Sequence, residues 1–482
     1  MNQLNEINWI RRFYRKHLAR YPWGRLLKQV YLAFRLVAIG SRGFVVWRVN
    51  HKLAVGSMYL SRSVSRSSNS LVQYPARTGA FVLNALLRRL YFLTGQQECW
   101  YSMRGFSEYA GASAAAYREL APARIVQLDI PTVFPEECTK FFPDSSWPLS
   151  APAIFSFEVH NAEVMGKSDL LFREDECLHH ELYRFSQDFL FEEMHDIVSI
   201  NAANQKLVRF KGQQVGSIPS GISLVGSATA NYVHWLTETL PKLALIDGID
   251  AYRGLPYIID AELHPNILES LRYLNSNSRN VIQIGRGELL AVEKLVAISP
   301  VAYVPFDFKP GIKPNELDIN PGSALYSPDG LHQVRQSMVA FLGETEGALK
   351  RRLFLRRTGK SRPMNNSIEI EAMVREHGFE IIEPETLSFA DQVRLFSSAE
   401  LIVSQGGAAL GNIIFAPAGC HVIVLTTWSP YTIHYYFSNL AALLGQRCTL
   451  IMCEPVQSEL GPHRAHMGVK VPVSIFESAI GI

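Results

Sequence analysis

Three shortages narrow what this chain can be. Cysteine is scarce: 6 in 482 residues, namely Cys99, Cys138, Cys177, Cys420, Cys448 and Cys453, with no C-x-x-C pair. That excludes a disulfide-built scaffold and makes a reducing, cytoplasmic compartment the expectation. Long apolar runs are missing too. A membrane-spanning helix needs roughly 18–20 apolar residues, and Arg35, Arg42, Arg48, Arg88 and Arg89 interrupt every candidate. No basic stretch precedes an apolar core at the start, so no secretory leader is expected. The run His180-Glu181-Leu182-Tyr183 lacks the second histidine of a zinc-protease helix, and no other zinc spacing occurs. Thirdly, acidic residues are nearly absent from one end. Residues 1–110 hold 17 Lys and Arg against 3 Asp and Glu, and the remainder 30 against 41, behind a net charge of only +3. Such asymmetry predicts contact with an anionic surface.

Core material, by contrast, is ample. With 48% apolar residues, a chain of this length predicts about three domains. Residues 1–110 read as basic amphipathic helices. In residues 25–40, Arg25, Lys28, Gln29 and Arg35 gather on one narrow face. In residues 77–95, Arg77, Asn84 and Arg88 align with Arg89 beside them, and a Ser-rich linker at 61–70 lies between the two stretches. Two readings stand. The helices lie in a membrane interface with Lys and Arg toward the headgroups, or they form a helical subdomain with a solvated basic face. Nucleic acid is not an expected partner, because the segment has no recognised motif and too much apolar face. Residues 111–225 read as a β-rich lead-in. From Asn231 onward helices and strands alternate, broken by a Pro- and Gly-rich bridge at 304–323. Alternation predicts α/β architecture with parallel sheets. We expect one Rossmann-like lobe over 226–345 and a second over 346–482, with ligands at the carboxyl ends of their strands.

Three stretches could carry chemistry. ELIVSQGGAALGNIIFAPAG (400–419) reads as a strand, a Gly406-Gly407 turn and a helix start. Outward amides and the helix dipole there favour a phosphate; the alternative is a plain turn. RRLFLRRTGKSRPMNN (351–366) reads as a strand ending in Arg356-Arg357, followed by Gly359, Lys360 and Arg362. Guanidinium groups at a strand's carboxyl end can grip a diphosphate; the alternative is a solvated basic loop. NYVHWLTETLP (231–241) puts His234 and Glu238 four residues apart, on one helix face. Such a pair can take a proton from a hydroxyl, or it is a core histidine satisfied by its neighbour. Trp235 and Leu240 face elsewhere, into the core.

Four blocks in order, Asn231–Leu243, Arg356–Asn365, Gly378–Ala399 and Gly407–Gly419, resemble glycosyltransferase family 61. The resemblance covers roughly residues 221–430. It implies an inverting enzyme of GT-B-like architecture that moves a sugar from a nucleotide-sugar to an acceptor hydroxyl, with the nucleotide-sugar as co-substrate, no cofactor and no metal. In bacteria such enzymes serve capsule, lipopolysaccharide or exopolysaccharide assembly, so a glycan or lipid-linked saccharide is the expected acceptor. By the same resemblance Glu238 or His234 is the base. Arg356, Arg362, Asn365, Gln405, Gly406, Gly407 and Asn412 hold the donor, and Asn231 and Trp235 belong to the acceptor side. Three positions depart from the family pattern: Gln405 stands where a His is usual, Val424 where a Glu is usual, and Asn366 where a Glu is usual. These departures motivate a second expectation, a degenerate member that binds glycan or nucleotide-sugar as a scaffold.

Overall fold

The computed structural model describes residues 99–112, 117–185, 198–201, 206–209, 213–305, 313–343, 350–358, 362–456 and 467–480. The helices expected at 25–40 and 77–95, and the membrane contact they would make, lie outside these residues. The last part of that basic region departs from expectation. Cys99–Gly105 is a strand, and a helix begins only at Phe106. The strand pairs in parallel with Glu176–His179, so a partner far along the chain decides its conformation.

Two sheets organise the described residues. In the first, Gln213–Ser223 pairs in parallel with Tyr257–Asp260 on one side and with Glu288–Ile298 on the other, and Val281–Ile284 lies outside Tyr257–Asp260. The chain leaves Gln213–Ser223 toward one neighbour and returns later on its other side, so strand order switches beside it. Ile154–Met165 joins antiparallel to Glu288–Ile298 and extends the sheet through the β-rich lead-in. The second sheet is wholly parallel, in the order Glu380–Ile382, Arg351–Leu355, Ala399–Gln405, His421–Thr426, Arg447–Met452, Thr132–Phe134. Its central strands are apolar on both faces, as in the buried run Val422 to Leu425, which suits a sheet covered on both sides. Here the order switches between Arg351–Leu355 and Ala399–Gln405.

The lead-in is not a separate unit. Ile154–Met165 enters the first sheet and Thr132–Phe134 the second, so the boundary expected at 225 falls inside the first sheet, whereas after 225 the strands of the two sheets divide at 345. Both sheets also share one core. Leu224 and Val296 of the first, Leu353 and Val422 of the second, and Trp235, Val334, Phe415 and Leu440 from the helices between them belong to one continuous apolar cluster. Helix Pro328–Leu342 is set into that core by a local device: Ser327 accepts from Gly330 N at 3.2 Å, and Pro328 takes the first helical position, where no N–H is needed. Among the described residues no helix is long and apolar enough to cross a membrane.

Candidate functional site

Asn231 starts the helix that carries His234. Its side chain accepts from Val233 N at 3.3 Å, which spends it as a cap. The sequence predicts an unbroken helix to Asp247. The structure has α-helix at Tyr232–His234, a π-turn at Trp235–Thr239 and α-helix again at Leu240–Ile246. Pro241 has no N–H to give and would crowd the carbonyl one turn back. Thr237 Oγ1 donates to Val233 O at 2.8 Å and competes with the backbone ladder. Widening the turn relieves both conflicts, and such bulges gather at functional sites.

The wide turn holds the dyad. His234 Nδ1 lies 2.6 Å from Glu238 Oε1, with side-chain exposures of 7% and 20%. The ring of Tyr436, from helix Tyr435–Leu443, stands edge-on to His234 at 5.9 Å. Burial pushes the imidazolium down, but the charge and hydrogen bond of Glu238, helped by the charge of Asp169, outweigh it, so His234 titrates above its ordinary range. Glu238 accepting from Nδ1–H leaves Nε2 as the basic atom of the ring. Trp235 does not line a cleft. It is wholly buried in the core and donates Nε1–H to Ser270 Oγ at 2.8 Å.

The second sheet corrects the assignment of the arginines. Arg356 turns to carboxylates: Nε meets Glu371 Oε1 at 2.8 Å, Nη1 meets Glu383 Oε1 at 3.1 Å, and Nη2 meets Glu371 Oε2. Arg357, the next residue and so on the opposite side of the strand end, lies over Gly407. A Cβ at Gly407 would collide with Arg357 Nη1 and would stand 3.8 Å from Arg362 Nη1. Close approach, not backbone conformation, is therefore what Gly407 supplies. Arg362 donates to Gly406 O, and its own carbonyl accepts from Gln405 Nε2 at 3.2 Å. Arg362 holds a left-handed φ of 54°, pinned by those two bonds. The Nε atoms of Arg357 and Arg362 are buried without a partner, and neither residue forms an ion pair among the described residues. Burial and then the neighbouring Arg357 lower Arg362 to about 10. Two guanidinium groups thus crowd together at the switch point, where a doubly charged anion would satisfy both.

Other donor-side expectations resolve differently. Gly406 N–H is already given to Leu425 O at 3.1 Å, and the expected helix Ala408–Phe415 is 3₁₀. The cationic character of the turn therefore comes from the arginines more than from its amides. Gln405 is 4% exposed and braces the Arg362 backbone, so the missing histidine is replaced by a support. Val424 is buried in the shared core. Asn365 is exposed, with its backbone N–H on Val469 O at 2.9 Å. Asn366 bonds the backbone of Val471 in both directions at 3.0 Å. Lys360 and Gly359 lie outside the described residues.

Asn412, expected on the donor side, is turned into the interior. It is 0% exposed; Nδ2 donates to Gln392 Oε1 at 2.6 Å and to Ala409 O at 3.1 Å, and Oδ1 accepts from Tyr232 OH at 3.0 Å. Beside it Gly411 lets the 3₁₀ helix touch the dyad's helix, for a Cβ there would stand 3.0 Å from Val233 Cγ2 and 3.2 Å from its Cα. This seam locks the dyad to the second sheet. Asn412→Ala is expected to cost about 1–3 kcal/mol, the usual result of stripping partners from buried polar groups. Chemical denaturation would read it as a lower midpoint at unchanged slope; an unaltered midpoint would show that the seam contributes nothing.

Sequence reasoning weighed Arg357 only as part of a basic strand end, and it missed Asp169 entirely. Alternation along the strand says that Arg356 and Arg357 cannot both face the site, but not which does. Asp169 sits in an ordinary polar turn with no pattern around it. Among the described residues no group of three or more His, Cys, Asp or Glu is placed to hold a metal ion. None of the curated proteins matches the chain, but residues 232–423 match the family model described as Glycosyltransferase 61. That span opens at the dyad's helix and contains the arginine pair and the Gly-Gly turn, and this stretch of the chain belongs to glycosyltransferase family 61.

Proposed function

We propose that the chain is an inverting glycosyltransferase of GT-B type that moves a sugar from a nucleotide-sugar to a glycan or lipid-linked saccharide hydroxyl in bacterial surface polysaccharide assembly. The observation that carries the donor side is the pair Arg357 and Arg362, half-buried at the switch point of the second sheet, each with its Nε buried without a partner and with Arg357 repelling Arg362. In this reading the diphosphate lies on those two groups. The acceptor oxygen attacks the anomeric carbon from the opposite side, and the carbon–diphosphate bond breaks with its electron pair leaving on the phosphate. The hydroxyl proton passes to the His234–Glu238 dyad. Attack opposite the leaving group inverts the anomeric centre, and the guanidinium groups meet the leaving charge without calling on a metal. The basic balance of residues 1–110 supports a peripheral position on the anionic cytoplasmic face of a membrane.

The test is a binding and hydrolysis screen of the intact protein against UDP-, GDP-, CMP- and TDP-sugars, with and without a chelator. One donor is expected to bind and turn over, chelator or not. If no donor binds, the chain is a scaffold; if the chelator abolishes turnover, the metal-free part of the reading falls.

A further inference from the structure

Asp169 lies well before the stretch that the family model matches, in the turn after strand Ile154–Met165. Its carboxylate nonetheless reaches into the dyad's surroundings. Oδ2 accepts from Ser227 N at 3.2 Å, Ser227 Oγ at 2.9 Å and Tyr183 OH at 3.1 Å. Ser227 belongs to the loop that leaves strand Gln213–Ser223 and leads to the Asn231 cap. Gly226 is packed so closely on Asp169 that a Cβ there would stand 2.5 Å from Oδ1. Asp260 grips the same loop from the other side, accepting from Gly226 N at 3.0 Å and from Thr229 Oγ1, and Asp169 is the one of the two carboxylates whose charge also reaches His234.

We propose that Asp169 is a positioning residue of the His234–Glu238 dyad, fixing the loop before the helix and setting a carboxylate in the surroundings of His234. The proposal rests on the functional reading above. The groups around the dyad come from five places. Glu238 and Lys242 follow His234 on its own helix. Asp169 comes from the turn after Ile154–Met165, and His180 from the end of strand Glu176–His179. Tyr436 comes from helix Tyr435–Leu443, and Tyr326 from strand Leu325–Tyr326. The Asp169 charge acts on His234, Lys242 and His180 alike. His180 is itself held neutral, lowered to about 3 by burial, and so contributes no competing positive charge near neutrality. Asp169 and Glu238 are thus the anions that favour a protonated His234 once the hydroxyl has given up its proton.

The decisive variants are Asp169→Asn, Asp169→Glu and Ser227→Ala in the full chain. Turnover requires neutral His234, so the acid limb of the kcat/KM profile follows its titration. Removing the Asp169 charge lowers that titration, and the limb in Asp169→Asn should move to lower pH. Asp169→Glu should restore it. Ser227→Ala keeps the charge and removes one hydrogen bond, so its limb should stay in place even where the rate falls. Deuterium exchange at the imidazole C2, read by mass spectrometry, titrates His234 without any turnover. A downward shift in Asp169→Asn by that readout supports the link to His234 even if no donor is ever turned over, which would sink the functional reading alone. An unmoved His234 titration in folded Asp169→Asn would overturn the proposal and leave Asp169 as a loop support.

Discussion

Glu238→Gln is expected to lower kcat by about 10²–10⁴-fold, the usual worth of a general base, with donor affinity little changed. The reason is the 2.6 Å bond to His234 Nδ1. Glutamine can still accept that N–H, so the tautomer survives, but the negative charge that raises His234 does not. The remaining imidazole is a weaker base, and the acid limb of the residual activity should lie below that of wild type. His234→Ala removes the proton acceptor itself and should lose about as much. The double variant should be no worse than the poorer single, since the two groups act as one unit. Steady-state kinetics across the pH range read all three results. Losses that multiply in the double variant would mean the two residues act separately, and full activity in Glu238→Gln would remove the dyad from the chemistry.

How much of this could be read beforehand depended on whether the signal was local. The alternation of the second sheet was legible, because its strands are short apolar runs and its helices show a helical spacing of apolar residues, in one case behind a capping serine. Ser388 accepts from Asp391 N at 3.1 Å at the start of helix Phe389–Ser397. The dyad was legible as well, since a four-residue spacing on a helix needs no tertiary knowledge. What was not legible depended on distant partners. Asn412 looks like a residue exposed at a ligand turn, yet Tyr232 and Gln392 claim it for the seam. Trp235 was legible as a core residue, but its bond to Ser270, from a helix that follows later in the chain, was not. The π-turn needed two causes acting together, Pro241 and the Thr237 back-bond. The lead-in strands show their β character but not their destinations, one sheet for Ile154–Met165 and the other for Thr132–Phe134.

The adjacent arginines make the sharpest case, and they yield the second large effect. Arg357→Ala is expected to weaken nucleotide-diphosphate binding by about 10-fold to 100-fold, the loss of a charge-assisted contact worth roughly 1.5–3 kcal/mol. Arg356→Ala should leave that affinity nearly intact, because the Arg356 guanidinium is already committed to Glu371 and Glu383. Its cost should be a small loss of stability instead, as for partly exposed ion pairs generally. Calorimetric titration with the nucleoside diphosphate, beside a thermal melt of each variant, separates the two effects. Lysine at 357 would keep the charge but lose the planar fork, so it should recover only part of the affinity. Arg357→Ala has a further consequence that tests the crowding directly. With its neighbour gone, Arg362 no longer faces a like charge, and the free protein should become more stable even as it binds worse. Such an opposition of stability and affinity is what two like charges held together at an anion site must show. If Arg356→Ala abolished binding and Arg357→Ala did not, the anion would lie on the other side of the strand end, among the carboxylates of Glu371 and Glu383. That outcome is electrostatically unfavourable for a diphosphate, and this is the physical reason to expect the reverse.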